Sequence, residues 1–143
     1  MQLSCSGCQR TLGLRTQRVR DSVMAGGVRH RVASVDEFAP GTRVRVRIGS
    51  RSIAVFNVDG SYFAIVDRCP HQFAPLSRGR LQGTVICNAE TNWKTEWVDD
   101  GMVVACPGHG MEFDLRTGKA YGYALRIATY TVEVDGGEVY LIA

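Results

Sequence analysis

The sequence predicts an all-β fold of antiparallel strands. Three observations carry that reading. Short runs of alternating or continuous apolar residues recur along residues 43–142. Asp-Gly and Gly-rich pairs stand between them, the strongest short signal for a hairpin. No long stretch has a convincing helical period. With 143 residues, 45% hydrophobic and 22% charged, the chain suits one compact domain with a short arm.

Residues 1–27 read as a basic, irregular N-terminal arm, closed by the flexible Ala25-Gly26-Gly27. Up to Arg31 the chain carries Arg10, Arg15, Arg18, Arg20, Arg29 and Arg31 against Asp21 alone. The formal net charge of the whole chain is +3, so the remainder is mildly acidic. Cys5 and Cys8 form an isolated C-x-x-C, half of a zinc ribbon, but only Cys87 and His30 remain as spare donors. No structural metal is expected in the arm, and nucleic acid is not expected as a partner.

The patterned domain spans 28–143. Ser34 followed by Glu37 fits a capping box, so residues 35–38 should make one helical turn before Pro40-Gly41. RVRVRI at 43–48 alternates strictly and predicts a strand with one arginine face. Gly49-Ser50 turns into SIAVFNV and Asp59-Gly60 turns into SYFAIV, which together predict a three-stranded meander. GTVIC at 83–87 and MVVAC at 102–106 add two short strands. TYTVEV at 129–134 and EVYLI at 138–142 flank Asp135-Gly136-Gly137 as a final hairpin.

Residues 88–101 lie between the two short strands as an insertion. Thr91 to Val98 alternates with Trp93, Thr95 and Trp97 on one face, and Asp99-Asp100-Gly101 reads as a turn. An extended β-hairpin carrying Glu90, Glu96, Asp99 and Asp100 against Lys94 is predicted. Its two tryptophans could meet a partner, but packing on the body is the plainer expectation. Cys87 is expected to be buried.

Chemistry concentrates in two places. Cys69-Pro70-His71 follows one strand directly and Cys106-Pro107-Gly108-His109 follows another, so two turns can converge on one centre. Five cysteines and no apolar leader argue against a disulfide framework and for metal or redox chemistry, in a cytoplasmic setting. No run is long and apolar enough to suggest a membrane span. Thiolate and imidazole suit zinc and iron–sulfur clusters alike, and spacing alone leaves both open.

The flanks narrow the choice. CPH, APLSRG at 74–79, CPGHG and FDLRTGKAYG at 113–122 together resemble the Rieske [2Fe–2S] family over residues 32–143. The resemblance implies an antiparallel β-sandwich with a small cluster-binding subdomain and loops at 69–76 and 106–113. It implies one [2Fe–2S] cluster, with Cys69 and Cys106 on the buried iron and His71 and His109 on the outer one. Imidazole ligation places such centres at roughly −150 to +300 mV, against about −400 mV for plant-type ferredoxins.

Among Rieske proteins the chain looks like the small soluble ferredoxins, and a nitrite reductase small subunit is a close variant. The respiratory type has an additional cysteine in each loop, where this chain has Ala74 or its neighbours and Gly108. That type also has a serine hydrogen-bonded to a bridging sulfur, where Met111 follows Gly110 here. Fewer such bonds imply a potential toward the low end. An oxygenase catalytic domain would need further histidines and chain length that are absent. The implied role is to pass one electron from a reductase to a terminal oxygenase or similar enzyme, with no catalysis by the chain alone. Docking is expected at His71, Gln72, Phe73, Pro75, Gly108, Gly110 and Met111, with Phe73 read first as a shield for the cluster. A zinc-stabilised binding module using the same Cys₂His₂ donors is the alternative.

Overall fold

The computed structural model describes residues 27–143, so Cys5, Cys8 and most of the arm lie outside the described residues. Nine strands appear in order: β1 Arg29–Ser34, β2 Arg43–Ile48, β3 Arg51–Val58, β4 Ser61–Val66, β5 Arg80–Ile86, β6 Glu96–Ala105, β7 Glu112–Asp114, β8 Thr129–Asp135 and β9 Glu138–Ile142. A single 3₁₀ turn, Leu76–Arg78, precedes β5. Among the described residues no helix is long and apolar enough to cross a membrane.

The strands make a six-stranded sheet in the order β1-β9-β8-β4-β3-β2 and a three-stranded sheet in the order β5-β6-β7. Every pairing is antiparallel. β4 and β8 share only two paired positions, Ala64 with Tyr130 and Ile65 with Thr129. The halves on either side of this short seam therefore fold over one another. They enclose Phe38, Ile53, Val55, Ala64, Val139 and Leu141.

β3 explains why SIAVFNV is continuously apolar rather than alternating. Ile53 and Val55 point into that cluster, while Ala54, Phe56 and Val58 point into a second one beneath the smaller sheet. A strand covered on both faces needs apolar residues at every position. Each fully buried large side chain contributes roughly 2–3 kcal/mol. The second cluster also holds Cys69, Cys106, Leu76, Val104, Phe113 and Leu115, so the two cysteine loops grow out of packed core.

The meander and the last hairpin stand where the turn signals place them. Asp59 at φ 50° and Gly60 at φ 85° have the left-handed pair that a tight hairpin requires. The Gly60 amide also donates to the Asn57 side chain at 2.8 Å. Ser34 caps the turn at 35–38: the Phe38 amide donates to its carbonyl at 3.1 Å and the Glu37 amide to its hydroxyl at 3.3 Å.

Two elements differ from the sequence expectation. β1 is a strand that RHRVAS does not announce. It exists because β9 offers an edge, and Arg29 and Arg31 reach Asp135 and Glu138 across the ladder at 3.2 and 2.8 Å. The extended hairpin is present, but its turn is at 87–95 instead of 99–101. Thr84, Val85 and Ile86 pair with Val98, Trp97 and Glu96, whereas Gln82 pairs with Val103. Gly83 alone thus stands against residues 99–102, which form a bulge inside β6. Asp99 at φ 54° and Gly101 at φ 76° do have turn-like backbone. Cross-strand pairing nevertheless carries the chain straight on, so the expected turn at 99–101 is a bulge.

Candidate metal centre

The first cysteine loop leaves β4 and the second leaves β6, and both use one backbone frame. The Cys69 amide donates to the Ala74 carbonyl at 2.9 Å, and the Phe73 amide returns to the Cys69 carbonyl at 2.8 Å. In the second loop the Cys106 amide donates to Met111 at 2.8 Å, and the Gly110 amide returns to Cys106 at 2.9 Å. The residue that closes each loop is left-handed: Phe73 at φ 62° and Gly110 at φ 72°. Two copies of one frame set face to face bring like donors together.

The thiols of Cys69 and Cys106 lie against each other, 1% and 5% exposed over Leu76, Val104 and Phe113. Burial pushes the Cys69 thiol up, and the neighbouring Cys106 thiol adds to this. The backbone amides of His71 and Gln72 oppose it by hydrogen-bonding the sulfur. The Gly108 amide donates to the Cys106 sulfur at 3.4 Å. Both histidines are exposed, and their rings meet edge to face with centroids 4.9 Å apart. All four residues singled out in the sequence are thus brought together, as a buried sulfur pair beneath an exposed nitrogen pair.

The donor chemistry fits a two-iron group. A tetrahedral zinc ion gathers its four ligands at one point. Here sulfur meets sulfur and imidazole meets imidazole, a two-and-two donor set of the kind a mixed cluster takes. Among the described residues, no three His, Cys, Asp or Glu side chains converge as a single-ion site.

Two acids whose structural role is not legible locally hold this architecture. Asp67, whose side chain is fully buried just before the first loop, accepts from the Ser77 amide at 2.6 Å and hydroxyl at 2.9 Å and pairs with Arg45 at 2.7 Å. It thereby ties the loop to the 3₁₀ turn. Asp99, in the β6 bulge, accepts from Arg116 and from the Tyr121 hydroxyl, each at 2.6 Å. The Tyr121 bond holds the Asp99 carboxyl below its ordinary range, with Arg116 assisting, while burial and then Asp99 push the Tyr121 phenol up. Arg116 also chelates Asp114, so FDLRTG locks the insertion to the body.

Three expectations about exposure need correction. Cys87 is exposed, because β5 runs beyond the body before the chain turns. Trp93 and Trp97 do not cover the body; they are 74% and 58% exposed. Trp97 lies over Gly83, where a Cβ would come within 2.7 Å of its ring, and pairs with the exposed Val85. Phe73 is 61% exposed and stacks against Arg68, whose guanidinium carbon is 3.9 Å from the ring centre, so it is not sealed over the sulfurs as a shield would be.

Residues 30–142 match the profile of the Rieske-like [2Fe–2S] domain. A 3-phenylpropionate/cinnamic acid dioxygenase ferredoxin subunit from Shigella flexneri serotype 5b (strain 8401) is 36% identical over 91 residues, covering 62% of this chain and 70% of that protein. Ferredoxin CarAc of Metapseudomonas resinovorans is 32% identical over 114 residues, covering 78% and 90%. Among solved structures, a chain from a complex of reduced oxygenase and oxidised ferredoxin in carbazole 1,9a-dioxygenase superposes with a TM-score of 0.64 at 31% identity, covering 81% of this chain and 94% of that one. With paired loops, core and profile in agreement over nearly the whole described domain, the chain belongs to the Rieske-like [2Fe–2S] domain family.

Proposed function

We propose that Cys69 and Cys106 hold the inner iron of the cluster and His71 and His109 the outer iron, in a carrier that passes electrons from a reductase to a terminal oxygenase. The observation that carries this reading is the division of donors by depth: both thiols are buried, and both imidazoles are exposed on one face. When bound, the cluster supplies one-electron redox chemistry at a potential raised by imidazole ligation.

The remaining work belongs to the chain. Leu76, Val104 and Phe113 exclude water from the sulfur side. Amides of His71, Gln72 and Gly108 donate toward the cysteine sulfurs and stabilise thiolate charge there. The histidines stand at the surface, where a partner can approach closely. Ferredoxin similarity at 31–36% identity, in systems named for dioxygenases, supports the oxygenase as acceptor.

The test is iron and acid-labile sulfide analysis of purified protein. Two irons and two sulfides per chain are expected, with Cys69→Ser and Cys106→Ser each losing both. Stoichiometric zinc without sulfide would overturn the reading.

A further inference from the structure

Between Asp67 and Glu112, the acids that border the paired loops, the loop segments themselves carry charge of one sign. Residues 68–80 contain Arg68, Arg78 and Arg80 and no acid, and residues 105–111 contain no charged acid or base beyond His109. All three arginines are exposed, and among the described residues none has a carboxylate within 4 Å. Two acids border the loops: Asp67 is paired with Arg45 and accepts from Ser77, and Glu112 accepts from the neutral Gln82 and Thr84 and keeps its charge behind Gln82. Arg78, Arg80 and Gln82 line an open cleft of about 550 Å³ whose other wall is Cys106, Pro107 and Gly110. Arg68 belongs to the first loop, stacked against Phe73.

The insertion carries the reverse charge. Of its acids, Glu90, Glu96 and Asp100 are offset by Lys94 alone, while Asp99 is paired with Arg116; Glu96 stands at the far end of β5. From Arg80 to Ile86 that strand spans about 20 Å. Charge thus runs from basic beside the second loop to weakly acidic along the hairpin.

Resting on the proposed carrier function, the geometry points to a redox partner whose docking surface carries carboxylates. These enter the cleft that Arg78 and Arg80 line beside the second loop, while Arg68 and Phe73 receive the rim of the contact. Guanidinium groups bind carboxylates in a bidentate manner, and a like-signed field steers the histidine end toward such a surface. The neutral loop tips alone give no such orientation. A partner with a basic docking surface would instead meet the hairpin end.

Two readouts test this. Reduced protein is oxidised by ferricyanide, which becomes ferrocyanide, or by tris(1,10-phenanthroline)cobalt(III), which becomes cobalt(II); each takes one electron. Arg78→Gln with Arg80→Gln should slow ferricyanide about three- to tenfold at low salt, with little loss at high salt. The cationic oxidant should be unaffected or faster. Lys94→Gln, which removes one charge at the hairpin turn, should change the ferricyanide rate less than Arg80→Gln alone.

Fluorescence anisotropy with labelled hexaglutamate gives the second readout. Binding should weaken with salt and in the Arg78/Arg80 variant, with labelled hexalysine unaffected by those substitutions. Equal effects of Arg80→Gln and Lys94→Gln, or hexaglutamate binding indifferent to both arginines, would overturn the inference. Failure of either oxidant to take an electron would instead sink the carrier reading, and the peptide result would still decide the charge of the docking face.

Discussion

The two cysteine loops share a hydrogen-bond frame and differ in what they hang on it. In the first, histidine is two residues after cysteine and Phe73 closes the loop; in the second, histidine is three residues on and Gly110 closes it. Because the frames match, the one-residue offset still brings the two rings to 4.9 Å. The lesson is that backbone hydrogen bonds set the position of the donors, while side-chain identity within the frame is free to serve other ends. Gly110 takes its left-handed backbone without strain. Phe73 takes the same region at a cost of about 1–2 kcal/mol, and lies exposed under Arg68. The loop frame, through the Phe73 amide on the Cys69 carbonyl, holds a bulky residue in that conformation at the surface.

Changing a donor should break the equivalence most. His109→Cys in the holoprotein should lower the reduction potential by a few hundred millivolts, the scale separating mixed from all-cysteine centres, as read by a redox titration. An unchanged potential would remove His109 from the ligand set.

Tying the two frames together should sharpen the comparison. The Ala74 Cβ lies 3.6 Å from where a Cβ on Gly108 would stand, within the span of a disulfide. Ala74→Cys with Gly108→Cys should form that bond and raise stability by about 2–3 kcal/mol, lost on adding reductant. Two more free thiols in the oxidised double variant than in the parent would show that the loops do not face one another in this way.

The closing residues should give the smallest effects, and unequal ones. A Cβ on Gly110 would touch nothing within 4 Å, so Gly110→Ala should cost only the backbone penalty, about 1–2 kcal/mol by denaturant unfolding. Phe73→Gly relieves a similar penalty while losing the arginine stacking and adding unfolded-state entropy, so it should stay within about 0.5 kcal/mol of the parent. Equal losses at both positions would mean that the loops are held by different forces.

The features legible in the sequence were those decided locally. Asp59-Gly60 and Asp135-Gly136-Gly137 form their turns wherever they stand, and RVRVRI can pair on only one register without exposing its valines. The paired Cys and His residues were legible because ligand chemistry restricts both type and spacing. What was hidden depends on partners distant in the chain. β1 becomes a strand only against β9, more than 100 residues away, through ion pairs that its own sequence does not show. Asp99 belongs to a turn-forming triplet, yet Arg116 and Tyr121 capture it within a strand. The tryptophans were expected to pack because burial is their usual reward; the insertion instead runs beyond the body that could cover them.

The central claim is that one cluster bridges a thiolate pair and an imidazole pair. Electron paramagnetic resonance of the dithionite-reduced protein tests it most directly. A rhombic signal whose average g lies clearly below that of all-cysteine [2Fe–2S] proteins is the predicted result. A signal with the average g of all-cysteine clusters, or silence from protein that holds zinc in place of iron, would contradict it.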